Sequence, residues 1–182
     1  MAVRRSTAAL VISSLCLLPA LAASAGCGRA WGVVQTVFGS GPDLAATLDV
    51  TDVKTGWYDA GVADGKARMV PSITFRLHNK GKEAVNTVQL MVSFWRVGTD
   101  GAWDEVLTTG IGHAALDPGA STDPIIVRPK VAYTLEGARA DLFTHHLFLD
   151  TTAKVFVQRS GAIVPMGQYP LERKIISRIS IR

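Results

Sequence analysis

The strictest constraint on this chain is a period of two. In Ser72-Ile73-Thr74-Phe75-Arg76-Leu77-His78 every second residue is apolar. Successive side chains of an extended backbone point to opposite faces, whereas a helix brings residues three or four apart together. The alternation therefore predicts a half-buried strand with Ile73, Phe75 and Leu77 facing inward. A longer instance follows, with Val88, Leu90, Val92 and Phe94 inward and Gln89, Met91, Ser93 and Trp95 outward. Wound into a helix, neither segment would gather its apolar residues on one side.

Shorter segments repeat the theme. Leu48-Asp49-Val50-Thr51, Trp103 to Thr109, Pro124 to Val127, Ala153 to Gln158 and Lys174 to Ile181 read as strands. Turn chemistry separates them. Asn79-Lys80-Gly81-Lys82 offers residues that tolerate positive φ, and Thr99-Asp100-Gly101 and Leu116-Asp117-Pro118-Gly119 offer tight turns. Only Leu135 to His146 has helical spacing, enough for a turn or two as a crossover between sheets. About seven strands at this spacing predict an all-β fold: an immunoglobulin-like antiparallel β-sandwich over residues 44–182.

Three of these stretches together carry a family resemblance. The run Ile73 to Gly81, the run Val88 to Arg96, and Leu116-Asp117-Pro118-Gly119 look like bacterial FxLYD-type domains, over roughly residues 70–130. In that family one extended strand ends at Asn, a second ends in an aromatic pair, and a Leu-x-Pro-Gly turn follows. Trp95-Arg96 stands where the family typically shows Tyr-Asp. The resemblance implies an immunoglobulin-like sandwich belonging to an exported protein, and it implies no particular ligand.

The start of the chain agrees with export. Arg4 and Arg5 precede an uncharged apolar run from Ala8 to Ala23, and small residues fill Ala22-Ala23-Ser24-Ala25-Gly26. This is the three-part pattern of a secretory signal, read here as residues 1–26. An uncleaved anchor is the competing reading, since the run approaches the roughly 18 residues a span requires. Pro19 and the small-residue tail favour cleavage. Ala23-Ser24-Ala25 suits ordinary release, whereas Ser24-Ala25-Gly26-Cys27 resembles the lipobox of bacterial lipoproteins, with Ser24 where leucine is usual. In that family the cysteine becomes the first mature residue and carries lipid. Cys16 leaves with the signal, so Cys27 has no disulfide partner, and a lone thiol in an oxidising compartment calls for an explanation that lipidation supplies. Residues 27–43 read as a tether, with Gly39-Ser40-Gly41-Pro42 for flexibility and Trp31, Val33, Val34, Val37 and Phe38 to pack locally. Without residues 1–26 the chain keeps 17 basic and 15 acidic residues, net +2, with no run of like charge. Nucleic acid is therefore not an expected partner.

Motifs that carry chemistry are sparse. His145-His146, were they on a strand, would point to opposite faces, and His78 and His113 lie far away in sequence, so no metal is expected. Gly39-Ser40-Gly41 lacks the G-x-S-x-G elbow, and the glycines never form a phosphate loop. Asp104-Glu105 and the Asp49/Asp52 pair read as solvated faces of strands or turns. Trp57, Tyr58, Trp95 and Trp103 are candidates for an aromatic face, with Trp103 placed to stack across from Trp95; a covered second layer is the plainer alternative. The sequence thus predicts no catalytic residue and no cofactor. It predicts a lipid on Cys27 that ties the chain to a membrane, and an envelope protein partner of unidentified nature. The expected role is a non-catalytic binding or assembly module in the periplasm or on the outer membrane, engaging its partner through loops or a sheet edge. Two alternatives remain open: a hydrolase or carbohydrate-active accessory domain with a cleft near His113, His145 and Asp150, or a structural subunit of an envelope machine.

Overall fold

A computed structural model describes residues 43–176. The predicted signal, Cys27, Ser40 and all of the tether except Asp43 lie outside the described residues, as do residues 177–182. A single helical turn, α1 (Leu44–Thr47), is capped by Asp43, whose carboxylate accepts from the Ala45 and Ala46 N–H groups. Nine strands follow: β1 (Leu48–Ala63), β2 (Lys66–Asn79), β3 (Val88–Arg96), β4 (Asp104–Ile111), β5 (Ile125–Val127), β6 (Tyr133–Leu135), β7 (Thr151–Arg159), β8 (Ala162–Pro170) and β9 (Ile175–Ile176). A 3-10 turn at Arg139–Thr144 sits where the helical spacing was read. Among the described residues no helix is long and apolar enough to cross a membrane.

The strands make two sheets. One has the order β5-β2-β1-β9, with β6 pairing β2 beyond β5; the other has the order β4-β3-β7-β8. Strands β1 and β2 and the β5–β6 pair take the places of strands A, B and E of the immunoglobulin plan. Strands β3, β4, β7 and β8 take those of C, C′, F and G. The fold is an all-β sandwich of that type. Among the described residues its one parallel pairing is β9 on β1, where the chain leaves β8, crosses to the other sheet and lies beside Trp57 and Tyr58. That crossing is pinned by polar groups. Thr55 Oγ1 donates to the Pro170 carbonyl and accepts from the Glu172 N–H, and the Lys174 carbonyl accepts from the Trp57 N–H.

Two hairpins are set by short turns with positive φ at both central residues, Asp64-Gly65 and Ser160-Gly161. Such turns follow the natural twist of paired strands. The Asn79 turn is built differently from the sequence expectation, because neither Asn79 nor Gly81 has a positive φ. Asn79 ends β2 fully buried. Its Nδ2 donates to the Glu83 and Leu116 carbonyls at 2.8 and 2.9 Å, and its Oδ1 accepts from the Gly81 N–H at 2.9 Å. It cross-links the turn to the Leu116–Gly119 segment, whose Gly119 N–H donates to the Asn79 carbonyl.

The core lies between the sheets. Ile73, Phe75, Leu77, Val88, Leu90, Val92 and Phe94 are all fully buried, as their alternation predicts. Burying such a side chain stabilises the fold by about 1.5–3 kcal/mol. Trp57 and Leu142 join them, the latter delivered by the 3-10 turn.

Candidate functional site: a cleft at one end of the sandwich

At the end of the sandwich where β3 finishes and β4 begins, an open cleft of about 520 Å³ is lined by Arg96, Trp103, Tyr133, His145, Leu147 and Leu149, with Ala132 and Thr134. Four separate segments contribute. Arg96 ends β3 and Trp103 leads into β4, joined by a tight loop that the Thr99 N–H and hydroxyl close onto the Arg96 carbonyl. Tyr133 opens β6. His145 to Leu149 form the return from the 3-10 turn into β7, held against the β3 end by the Val97 N–H, which donates to the Asp150 carbonyl at 2.7 Å.

An aromatic cluster backs the cleft. Phe148 packs against Trp57, Tyr133 and Phe143 at centroid distances of 5.1, 5.8 and 5.4 Å, and Trp103 lies 6.5 Å from Trp57. Aromatic groups at these separations hold one another rigidly. Trp57 is only 1% exposed, and its indole N–H meets no acceptor among the described residues. In the wall, Leu147 is 64% exposed, an apolar side chain left in water.

The polar groups are partly committed. The Tyr133 hydroxyl lies 2.7 Å from His145 Nδ1, and the Leu147 N–H donates to the same nitrogen at 3.3 Å. An amide can only donate, so Nδ1 is the acceptor and the imidazole proton sits on Nε2. Burial raises the Tyr133 phenol above its usual range, which keeps its O–H intact as donor to Nδ1. Arg96 is different. Its guanidinium lies 5.2 Å from the centre of the Trp103 ring, its Nε is buried without an acceptor, and no carboxylate pairs with it among the described residues. The nearby acids are engaged elsewhere. Asp150 holds Arg173 through two bonds of 2.8 and 2.9 Å, which keep its carboxyl below the usual range. Asp104 accepts from the N–H groups of Glu105, Lys130 and Val131.

The sequence candidates scatter. His145 and His146 follow the 3-10 turn rather than lying on a strand, and their rings stack at 4.7 Å instead of pointing apart. Among the described residues no three His, Cys, Asp or Glu side chains group as metal ligands would. His78 bonds Ser121 at 3.0 Å. His113 follows the far end of β4, roughly 24 Å from Asp104 by strand rise, so it does not approach His145. Asp49 and Asp52 pair with Lys80 and Arg76, and Glu105 is exposed. The Trp95–Trp103 stack does not form. Trp95 lies beneath Lys154 Nζ at 3.8 Å with its N–H bonded to Ser93 Oγ, while Trp103 turns to Trp57. Tyr58 lies beneath the Arg128 guanidinium at 3.7 Å.

A second apolar feature crosses the outer face of the β4-β3-β7-β8 sheet. Register places Leu107 opposite Met91, Met91 opposite Phe156, and Phe156 opposite Pro165, one row across four strands. The sequence offers Trp103 as a candidate for an aromatic face and His145 and Asp150 for a cleft, but it singles out neither Arg96 nor Tyr133, Leu147 or Leu149. No local signal marks the cleft, because its walls meet only in three dimensions.

No protein-family model matches the chain, and no curated protein matches it. Two solved structures are similar in outline. A Northeast Structural Genomics Consortium target, SoR45, gives a TM-score of 0.43 at 13% identity, covering 76% of this chain and 92% of that one. A Bordetella pertussis protein carrying the provisional name ApaA gives 0.41 at 15% identity, covering 69% and 93%.

Proposed function

We propose that the chain is an exported envelope protein, held to a membrane by a lipid on Cys27, whose sandwich is a non-catalytic binding module. The observation that carries the binding role is the cleft: aromatic, apolar and polar side chains from four segments, with Leu147 exposed, beside the Arg96 guanidinium, which has no carboxylate partner among the described residues. Clefts of a few hundred Å³ that combine apolar and aromatic surface with placed polar groups are the usual form of a ligand site. Export and anchoring rest on the signal pattern of residues 1–26 and on the solitary Cys27. The likeness of residues 70–130 to FxLYD-type domains is part of the same reading.

Two measurements test it. Membrane fractions and incorporation of labelled fatty acid are compared for the wild type and Cys27→Ala. A Cys27→Ala chain that remains membrane-bound with its leader removed refutes the anchor. Photo-crosslinking amino acids are then placed at Leu147 and, as a control, at exposed Val62 on β1. Adducts in whole cells at Leu147 but not at Val62 support the binding role; equal or absent adducts refute it.

A further inference from the structure

The chemistry of the cleft specifies a ligand class, given the reading of the cleft as a binding site. We propose that it takes a monocarboxylate with an apolar body, the carboxylate seated on Arg96 and the body against Trp103, Leu147 and Leu149. Arg96 is the carrier of this inference. A guanidinium presents five donors in a planar fork that matches a carboxylate. The Nε itself is closed to solvent, but Arg96 is only partly buried and lines the cleft, and among the described residues no acceptor or carboxylate engages its guanidinium. Arg76, Arg139 and Arg173 have carboxylate partners, Arg128 donates to Ser72, and Arg159 donates to Asn86; Arg68, on β2, has no such partner among the described residues but does not line the cleft. Arg96 thus brings a guanidinium without an anionic partner to an open cavity, where an incoming carboxylate would pair with its terminal nitrogens.

The count of charges sets the valence. Among the lining residues Arg96 is the only fixed cation and there is no acid. A phosphate, with close to two negative charges, would leave one uncompensated beside Asp150 and Asp104, whereas a carboxylate balances. His145, with its Nδ1 occupied, retains Nε2–H as a neutral donor in the same lining. Trp103, Leu147 and Leu149 offer carbon surface in the same lining, which an aliphatic or aromatic chain would cover, beside the polar side chains of Tyr133 and Thr134. A free acid and the C-terminal residue of an apolar peptide share this chemistry.

The test uses residues 27–182 carrying Cys27→Ala, which contain the whole described sandwich and offer no thiol for a lipid. Octanoate is titrated against 1-octanol while backbone and indole N–H resonances are followed. A second arm compares an acetylated peptide ending in leucine with its C-terminal amide. Octanoate is expected to bind with a Kd of about 1 mM or tighter, as suits a ligand of this size. Its shifts should centre on Trp103 and Leu147, with 1-octanol at least about 10-fold weaker. Loss of a charge-assisted bond predicts that Arg96→Gln weakens octanoate by about 10- to 100-fold without moving 1-octanol, and that Arg96→Lys recovers part of it. Leu147→Ser, at an exposed position that the fold does not need, should weaken both ligands. A peptide that outcompetes octanoate only with its free carboxylate identifies the peptide source; the reverse identifies the free acid. Equal binding of octanoate and 1-octanol overturns the carboxylate inference and leaves the binding role of the cleft standing. Unchanged octanoate affinity in a folded Arg96→Gln, or no response to any probe, overturns it as well.

Discussion

Replacing Asn79 by glycine separates two accounts of the turn after β2. If Asn79 were there for its tolerance of positive φ, glycine would be neutral or better. In the structure Asn79 has ordinary strand geometry and works through its amide, so glycine should be the worse choice. The side chain makes three hydrogen bonds to backbone groups, at 2.8, 2.9 and 2.9 Å, from a fully buried position. Each contributes about 0.5–1.5 kcal/mol net. The Leu116 carbonyl keeps the Val85 N–H as a partner, which limits the loss there, whereas the Gly81 N–H loses its acceptor. The expected cost of Asn79→Ala is about 2–3 kcal/mol. Asn79→Gly adds about 0.5–1 kcal/mol for backbone entropy within a strand. For a domain of this size that corresponds to a fall in Tm of about 6–12 °C. Urea unfolding followed by tryptophan fluorescence, with an unchanged m-value, measures it. An Asn79→Gly chain within about 0.5 kcal/mol of wild type, or more stable than Asn79→Ala, refutes the cross-linking account.

Three further outcomes are expected. Gly110→Ala should destabilise by about 1–3 kcal/mol, since the added Cβ would lie 2.8 Å from Leu90 Cγ and 3.0 Å from Leu77 Cδ1; a neutral result in thermal unfolding would mean those core side chains yield freely. Trp57→Ala should cost about 3–5 kcal/mol, but Trp57→Phe well under half of that, because phenylalanine also removes a buried N–H that has no acceptor. Equal costs in denaturant titrations would contradict this. Asp150 has a depressed folded pKa from its bonds to Arg173, so its contribution is present above the ordinary carboxylate range and disappears as pH falls through the folded value. The pair is half exposed, so Asp150→Asn should lose no more than about 1 kcal/mol at neutral pH. The gap should close in acid, and a gap that widens in acid instead would reverse the assigned sign.

What the sequence made legible was what neighbouring residues decide between them. The alternation of Ile73, Phe75 and Leu77, and of Val88 through Phe94, fixed two strands, their faces and the core. Strand β8 escaped because Pro165 and Gly167 interrupt its alternation, and a register shift between Val155 and Phe156 absorbs the irregularity. The extension of β1 to Ala63 and the Asp64-Gly65 turn were also passed over, since Asp52, with a φ of 52°, breaks the pattern after Thr51. Trp57 reads from the sequence as part of either an aromatic face or a covered second layer, and it is buried; a tryptophan beside Tyr58 carries no local mark of which one points inward. The cleft depends on β3, β4, β6 and the approach to β7 meeting, and on Arg96 finding no partner. Both are facts of tertiary placement that no window of sequence contains.

The segment from Pro170 to Ile176 has a consequence for how this molecule comes apart. It hooks Thr55 from a distance of 115 residues along the chain and lies beside β1 after crossing from the other sheet. Contacts that close after the rate-limiting assembly leave the speed of folding almost untouched and act on the speed of opening, so weakening this clasp is expected to hasten unfolding more than it slows folding.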